Sequence, residues 1–241
     1  RAVMFNHGGG WALGTTSKCV LFFVNFTISV CVCRYRLAPE VHFPVQYEDC
    51  LAAAKHFLEP GILGKLSVDP QRVAVSGDSA GGNLAAAVAQ QISVDYSVSV
   101  KFSVQALIYP VLQGLDLNTP SHQQNHNIPM LHRFMMARYT HVHVHTHRRT
   151  QSHTHLWQEG DLLPGLLDVR AAPLLAEQGY DVLRDDGLMY TRRLQDAGVA
   201  VSSQHYDDGF HGALSLVHSP FYFDVGKRMI RGYMDWLQEN L

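Results

Sequence analysis

Residues 77–81 read Gly-Asp-Ser-Ala-Gly and fit the pattern G-x-S-x-G, in which the central serine acts as a nucleophile. Residues 72–76 before this segment are typical of a short strand, and the alanine-rich residues 83–92 after it are typical of a helix. A sharp strand-to-helix turn would hold the Ser79 hydroxyl above the sheet edge, at a helix N-terminus that favours developing negative charge. An ordinary glycine-rich loop would explain the same residues, so the pattern by itself leaves both interpretations open.

A second glycine-rich segment, His-Gly-Gly-Gly at residues 7–10, lies 72 residues before Ser79 and follows its own short apolar run. Consecutive glycines let backbone N–H groups converge on one point, because no Cβ atom stands in the way. Acyl transfer needs such donors for the anionic oxygen of its tetrahedral intermediate, and one donor contributes about 10²–10³ in rate. The two segments in this order therefore favour an acyl-transfer site over two unrelated turns.

A serine nucleophile needs a histidine base, and the histidine needs a carboxylate that orients it. Three acids, Asp181, Asp185 and Asp186, lie ahead of a predicted helix, and His211 follows a predicted strand in a Gly-Phe-His-Gly run. The chain order serine, acid, histidine is the one expected when the serine lies on a turn of this kind. On the residues alone, Asp185 or Asp186 could instead complement a helix dipole, and His211 could be an ordinary loop histidine.

These candidate residues need a scaffold, and the apolar segments of the chain alternate between strand and helix. The predicted strands are residues 2–5, 26–35, 72–76, 102–109 and 199–206, and the predicted helices are residues 47–58, 83–92, 188–197 and 227–241. Such alternation predicts an α/β fold with a mostly parallel sheet and helices on both faces. We expect a single domain over residues 1–241, with an irregular, histidine-rich insert or lid-region segment at residues 113–165.

Composition excludes several other classes of protein. The 241 residues are 46% hydrophobic, which rules out wholesale disorder, and no apolar run is long enough to span a membrane as a helix. A net charge of −2 gives no electrostatic footprint for nucleic acid. Four cysteines are too few for a disulfide scaffold in a chain of this length.

Taken together, the motifs resemble the hormone-sensitive-lipase-like branch of the α/β-hydrolases, and within it the arylacetamide deacetylase and neutral cholesterol ester hydrolase group. The motifs that carry the resemblance are HGGGW at 7–11, YRLAPE at 35–40, GDSAGGN at 77–83, YDVLRDDG at 180–187 and DGFHG at 208–212. The resemblance covers about residues 1–112 and 166–241.

The resemblance implies an α/β-hydrolase fold and roles for particular residues. Ser79 would be the nucleophile, His211 the base and Asp181, rather than Asp185, the orienting acid. The backbone N–H groups of Gly8, Gly9 and Ala80 would form the oxyanion hole. The implied activity is serine carboxylic ester hydrolysis, or amide hydrolysis, of small hydrophobic substrates, without a cofactor or metal. Members of this group are anchored in the endoplasmic reticulum membrane by an N-terminal segment, which implies a lumenal catalytic domain.

The sequence also departs from the family pattern in two places that bear on activity. Only six residues precede His7, so we expect the family's earlier strands and any anchor to be missing from the chain. Residues 173–180 before Asp181 do not read as an apolar, β-branched strand, which predicts a skipped strand and a poorly placed Asp181. An inactive fragment or gene-model product that keeps the motifs is therefore the alternative to an esterase.

Residues 140–155 hold six of the fifteen histidines, several of them at alternate positions. Such spacing could put imidazoles on one strand face as metal ligands, which gives a third hypothesis, a metal-binding histidine tract. A repeating CA dinucleotide read as codons also yields alternating histidine and threonine. We favour this translated-repeat hypothesis, because no cysteine or carboxylate partner lies near the tract.

Overall fold

The computed structural model describes residues 1–16, 28–114, 116–128, 130–144, 170–171, 176–217 and 220–241. Within these ranges, five strands form one parallel sheet in the order β2-β1-β3-β4-β5. They are β1 (Ala2–Asn6), β2 (Ser29–Cys33), β3 (Val73–Asp78), β4 (Val104–Ile108) and β5 (Arg170–Ala171). Parallel strands point the same way, so the carboxyl ends of β1 and β3 lie side by side, which brings the two glycine-rich segments to one edge of the sheet.

Helices connect and cover the strands. They are α1 (Val45–Phe57), α2 (Pro60–Lys65), α3 (Ala80–Val94), α4 (Pro120–Gln124), α5 (Arg133–Val144), α6 (Arg184–Asp196) and α7 (Asp224–Asn240), with a short 3₁₀ helix at Ala213–Leu216. The sequence predicted the long amphipathic and alanine-rich helices but not α2, α4 or α5. The last two lie in the 113–165 segment that was expected to be irregular, and the tract from residue 145 onward lies outside the described residues.

The sheet is covered on both faces, as the alternation of strand and helix predicted. All five residues of β1 are buried, because parallel strands in such a sheet face apolar layers on each side. Ala2 and Met4 pack into a core with residues of α1, α3 and α6, whereas Val3 and Phe5 pack into a core with residues of α7. The period-two alternation of strand side chains therefore divides one apolar run between two cores.

A second pair of strands, β6 (Ala176–Tyr180) and β7 (Gln204–Phe210), also runs parallel. The prediction that the strand before Asp181 is skipped is therefore wrong. The pairing has an irregularity between Gln178 and Tyr180, and there a Cβ atom on Gly179 would lie 2.1 Å from the Asp207 carbonyl oxygen. Glycine permits this close approach of two backbones, so the pairing of β6 with β7 requires Gly179.

None of the helices in the described part of the chain is both long enough and apolar enough to cross a membrane.

Candidate active site

Ser79 lies on the turn between β3 and α3, in a backbone conformation that is rare for any residue except glycine. Its φ is 54° and its ψ is −120°. The turn is held from several sides: the Ser79 N–H donates to the Ile108 carbonyl at 2.9 Å, and the Ser79 carbonyl accepts N–H groups of Asn83 and Val111, each at 3.1 Å. Such strain persists only where surrounding bonds enforce it, and it is typical of functional turns.

The two glycines of the turn are required by the close approach of neighbouring backbone. A Cβ atom on Gly77 would lie 2.3 Å from the Gly81 carbonyl oxygen, and a Cβ atom on Gly81 would lie 2.0 Å from the Asn6 carbonyl oxygen. No side chain fits at either distance without moving the backbone. Glycine two residues before and two residues after Ser79 is therefore a steric requirement of this turn.

Ser79, His211 and Asp181 form one continuous hydrogen-bonded chain. Ser79 Oγ lies 2.8 Å from His211 Nε2, and His211 Nδ1 lies 2.8 Å from Asp181 Oδ2. An ionised carboxylate can only accept, so the Nδ1 proton faces Asp181 and leaves Nε2 free to accept the serine proton. The other carboxylate oxygen, Asp181 Oδ1, accepts the Leu183 N–H at 2.9 Å.

The register of β6 and β7 explains why Asp181 and His211 meet. Tyr180 pairs with Phe210, so the next residue of each strand, Asp181 and His211, leaves the sheet at the same level. Both are largely buried, with 2% of Asp181 and 8% of His211 exposed. The Tyr109 ring packs against the His211 imidazole at 4.9 Å between ring centroids, which restricts the imidazole further.

The predicted oxyanion donors are not equally available. The Gly8 N–H donates to Asp78 Oδ1 at 2.7 Å, so the single proton of this amide is already committed to a carboxylate. The prediction of Gly8 as an oxyanion donor is therefore wrong. Ala80 is the first residue of α3, where N–H groups have no partner within the helix, and Gly9 has a φ of 119° that glycine alone adopts readily.

Asp78 is a site residue that the motif analysis did not single out. Burial raises its pKa, whereas the hydrogen bond from the Gly8 N–H and the nearby His7 and His211 imidazoles oppose that rise. The signal that could have identified it is its position between Gly77 and Ser79, because a side chain there must lie close to the neighbouring strand's loop.

Asp185 and Asp186, the alternative acids, do not contact His211. Asp185 accepts the Ser121 N–H at 2.7 Å and pairs with Arg184, so it joins α4 to α6. Asp186 accepts a hydrogen bond from Gln113 Nε2 at 3.0 Å and is 1% exposed. Burial, assisted by the nearby charge of Asp181 and opposed by Gln113, raises the pKa of Asp186 to about 7.

The metal hypothesis concerns a histidine tract that lies mostly outside the described residues, so it stays a prediction. Within the residues that the structure describes, no group of three or more histidine, cysteine, aspartate or glutamate side chains is arranged to hold a metal ion.

The arrangement as a whole is suited to acyl transfer. It combines a serine hydroxyl, an imidazole that can accept its proton, a buried carboxylate that stabilises the imidazolium, and backbone donors beside the serine.

Comparison with known proteins agrees with this chemistry. Residues 3–215 match a family described as alpha/beta hydrolase fold. Neutral cholesterol ester hydrolase 1 from Bos taurus is 39% identical, and arylacetamide deacetylase from Rattus norvegicus is 40% identical; each alignment covers 100% of this chain and 74% of the relative. Among solved structures, a fungal esterase from Rhizomucor miehei is 29% identical with a TM-score of 0.85, over 99% of this chain and 73% of that one. An esterase from Pyrobaculum calidifontis is 28% identical with a TM-score of 0.82, over 99% of this chain and 76% of the esterase.

Proposed function

The chain belongs to the α/β hydrolase family, as a serine esterase- or lipase-like hydrolase, and from this premise we propose that it hydrolyses esters of hydrophobic acyl groups through an acyl-enzyme on Ser79. The observation that carries the proposal is the unbroken chain of two 2.8 Å contacts from Ser79 Oγ through His211 to Asp181. A surface serine beside a histidine would lack the third, buried group that fixes the imidazole.

In the first half of the reaction, Ser79 Oγ attacks the substrate carbonyl carbon while His211 Nε2 accepts the hydroxyl proton. Asp181 keeps the Nδ1–H in place and stabilises the imidazolium that forms. The carbonyl oxygen becomes an oxyanion and accepts hydrogen bonds from backbone N–H groups. The remaining predicted donors are the N–H groups of Gly9 and Ala80. The dipole of α3, whose N-terminus lies at the serine, favours the same negative charge.

In the second half, the C–O bond to the leaving alcohol breaks and His211 returns the proton to that alcohol. A water molecule then attacks the acyl carbonyl, giving up a proton to His211 as it does so. When this second tetrahedral intermediate collapses, the bond from the acyl carbon to Ser79 Oγ breaks and His211 returns the proton to that oxygen. The free acid leaves and the starting state is regenerated. Every proton in this cycle passes through His211, so the proposed chemistry requires only groups of the protein and water.

The substrate class in this proposal is a small hydrophobic ester or amide. It is supported by the names of two relatives, one a cholesterol ester hydrolase and the other an arylacetamide deacetylase. Turnover of p-nitrophenyl esters of increasing acyl length, compared with an N-aryl acetamide, would measure the ester-to-amide preference directly. Equal rates across the whole series would argue against a defined acyl pocket.

The central test is covalent. A fluorophosphonate should label one residue, identified by peptide mass spectrometry as Ser79, and the label should block turnover of a short-chain p-nitrophenyl ester. A folded sample that neither hydrolyses the ester nor accepts the label would refute the proposed function and favour an inactive chain.

The cellular location is also part of the proposal and rests on the family resemblance. Expression of the full-length gene product with a glycosylation reporter would test for a lumenal catalytic domain in the endoplasmic reticulum.

A further inference from the structure

We propose that Asp78 is a positioning residue, which holds the glycine loop against the nucleophile turn and thereby orients the Gly9 N–H toward the reacting carbonyl oxygen. The inference deepens the proposed function and depends on it. It starts from the bond between Gly8 N and Asp78 Oδ1, which joins residues 70 apart in sequence at a distance of 2.7 Å. This bond crosses from the segment after β1 to the turn after β3.

The peptide unit between His7 and Gly8 is fixed at both ends. Its N–H, on Gly8, donates to Asp78, and its carbonyl, on His7, accepts the Tyr35 hydroxyl at 2.6 Å. Because a peptide unit is planar, two bonds at opposite sides of the plane determine its orientation. The Tyr35 ring also stacks on the His7 imidazole, with 4.4 Å between ring centroids.

The next peptide unit, between Gly8 and Gly9, is held in turn. Its carbonyl, on Gly8, lies 2.8 Å from His7 Nδ1. The N–H at the other side of that same plane belongs to Gly9, one of the two remaining predicted oxyanion donors. The His7 contact therefore orients this second plane and with it the Gly9 N–H. Asp78 is the group on the nucleophile turn that holds the first plane, to which the second plane is joined at Gly8.

Steric fit supports a dedicated contact. A Cβ atom on Gly8 would lie 2.5 Å from Asp78 Oδ2 and 2.8 Å from the Asp78 carbonyl oxygen. Only glycine at residue 8 allows the carboxylate to approach so closely, so residues 8 and 78 are matched to each other. Since Asp78 directly precedes Ser79, the same contact joins the glycine loop to the turn that carries Ser79.

The principal test is Asp78→Ala, with Asp78→Asn as the conservative variant and Asp69→Ala as the matched control. Asp69 also accepts a backbone N–H, that of Gln71 at 2.9 Å, but on an unrelated turn. We expect kcat for a p-nitrophenyl ester to fall about 10²-fold in Asp78→Ala with KM nearly unchanged. The reason is that a misdirected N–H weakens stabilisation of the transition state far more than binding of the substrate. Asp78→Asn keeps an acceptor oxygen and should stay within about tenfold of wild type. Equal kcat in Asp78→Ala and wild type would overturn the inference.

A second measurement does not depend on activity. Hydrogen–deuterium exchange of the peptide covering residues 7–16 should be faster in Asp78→Ala than in wild type and unchanged in Asp69→Ala. If the wild-type protein lacked esterase activity, the proposed function would fail, whereas the positioning role would still be decided by this exchange. Unchanged exchange in a folded Asp78→Ala protein would refute it.

Two further variants remain informative if Asp78→Ala does not fold. Tyr35→Phe keeps the ring stack but removes the hydroxyl from the other side of the His7–Gly8 peptide, so it should also lower kcat and speed exchange in the loop. Gly8→Ala combined with Asp78→Asn provides a coupling test, since groups that act through one contact have non-additive effects. Strictly multiplicative losses of kcat in that pair would contradict the proposed link.

Discussion

The turn that carries Ser79 and the Asp181–His211 pair reach the same site by different means. The turn at residues 77–81 is built within one strand–helix connection, and its two glycines are required because a Cβ atom on either would lie 2.3 Å or less from a backbone carbonyl oxygen. The acid and the base are 30 residues apart and meet only because Tyr180 pairs with Phe210 in the register of β6 and β7. The turn is therefore encoded by a short motif, whereas the Asp181–His211 contact is encoded by strand pairing.

This difference indicates how a substitution in each region should affect the protein. A substitution in the turn acts on backbone geometry that has no room to relax, because the neighbouring atoms belong to the central sheet. A substitution at the acid leaves the surrounding backbone in place and changes the orientation and charge of the imidazole. Four variants, ordered from the largest expected effect to the smallest, would separate these two behaviours.

Ser79→Ala removes the nucleophile and should lower kcat by about 10⁶-fold, the size seen when a serine nucleophile is deleted from a comparable triad. Ester hydrolysis measured with active-site titration would check this. Ser93→Ala, near the far end of the same helix, is the matched control and should keep full activity, since the Ser93 hydroxyl donates to the Gln90 carbonyl within that helix. A Ser79→Ala protein with more than one-hundredth of wild-type kcat would contradict the assignment.

Asp181→Asn keeps the shape of the acid but favours the wrong imidazole tautomer, so kcat should fall about 10⁴-fold while the fold is retained. The kcat of the purified variant, beside its circular dichroism spectrum, is the measurement. Asp185, four residues along the chain, contacts Ser121 and Arg184 instead. The kcat of Asp185→Asn should therefore fall less than tenfold. The reverse ranking would assign the orienting role to Asp185.

Gly81→Ala should destabilise the protein by about 3 kcal/mol or more, because its Cβ would lie 2.0 Å from the Asn6 carbonyl oxygen and 2.5 Å from the His7 carbonyl oxygen. Gly61→Ala in α2 is the matched control: nothing lies within 4 Å of its Cβ, and alanine favours a helix over glycine. Urea unfolding of both variants should show opposite signs. Similar stability for the two would mean that the turn has more freedom than its contacts indicate.

Asp186→Asn should change the pH dependence of stability rather than activity. The pKa of Asp186 is raised to about 7 in the folded protein, above the ordinary carboxyl value of 3.8 that the unfolded chain has. The folded state therefore holds the proton longer, and stability is lost as pH rises from about 4 through 7. Asparagine cannot ionise, so the Tm of Asp186→Asn minus that of wild type should increase between pH 5 and pH 8.

The exposed Asp196, near the end of the same helix, supplies the control, because Asp196→Asn should show no such divergence. A Tm difference that is flat with pH for Asp186→Asn would refute the ionisation argument. Repeating the measurement in Asp181→Asn sharpens the comparison of the two regions. The nearby Asp181 charge contributes to the raised pKa of Asp186, so the divergence should become smaller.

Much of the scaffold was accessible to sequence reasoning. Continuous apolar runs predicted β1, β3 and β4, and alanine-rich or amphipathic periods predicted α3 and α7. The final strand was displaced: the apolar residues from 199 suggested an early start, whereas β7 covers Gln204–Phe210 and includes two aspartates and a glycine. Polar edge residues carry little periodicity, so only their pairing with β6 reveals the strand.

The amino-acid sequence by itself determined the turn at residues 77–81, the glycine loop and the chain order of Ser79, Asp181 and His211, because local steric requirements leave a signature in residue type and spacing. Only the tertiary structure decided that Asp181 has a strand before it, that Asp185 and Asp186 serve other contacts, and that the Gly8 N–H is bonded to Asp78. The physical reason is that a strand at a sheet edge and a hydrogen bond across 70 residues depend on which backbones become neighbours. No single segment of the chain contains that information.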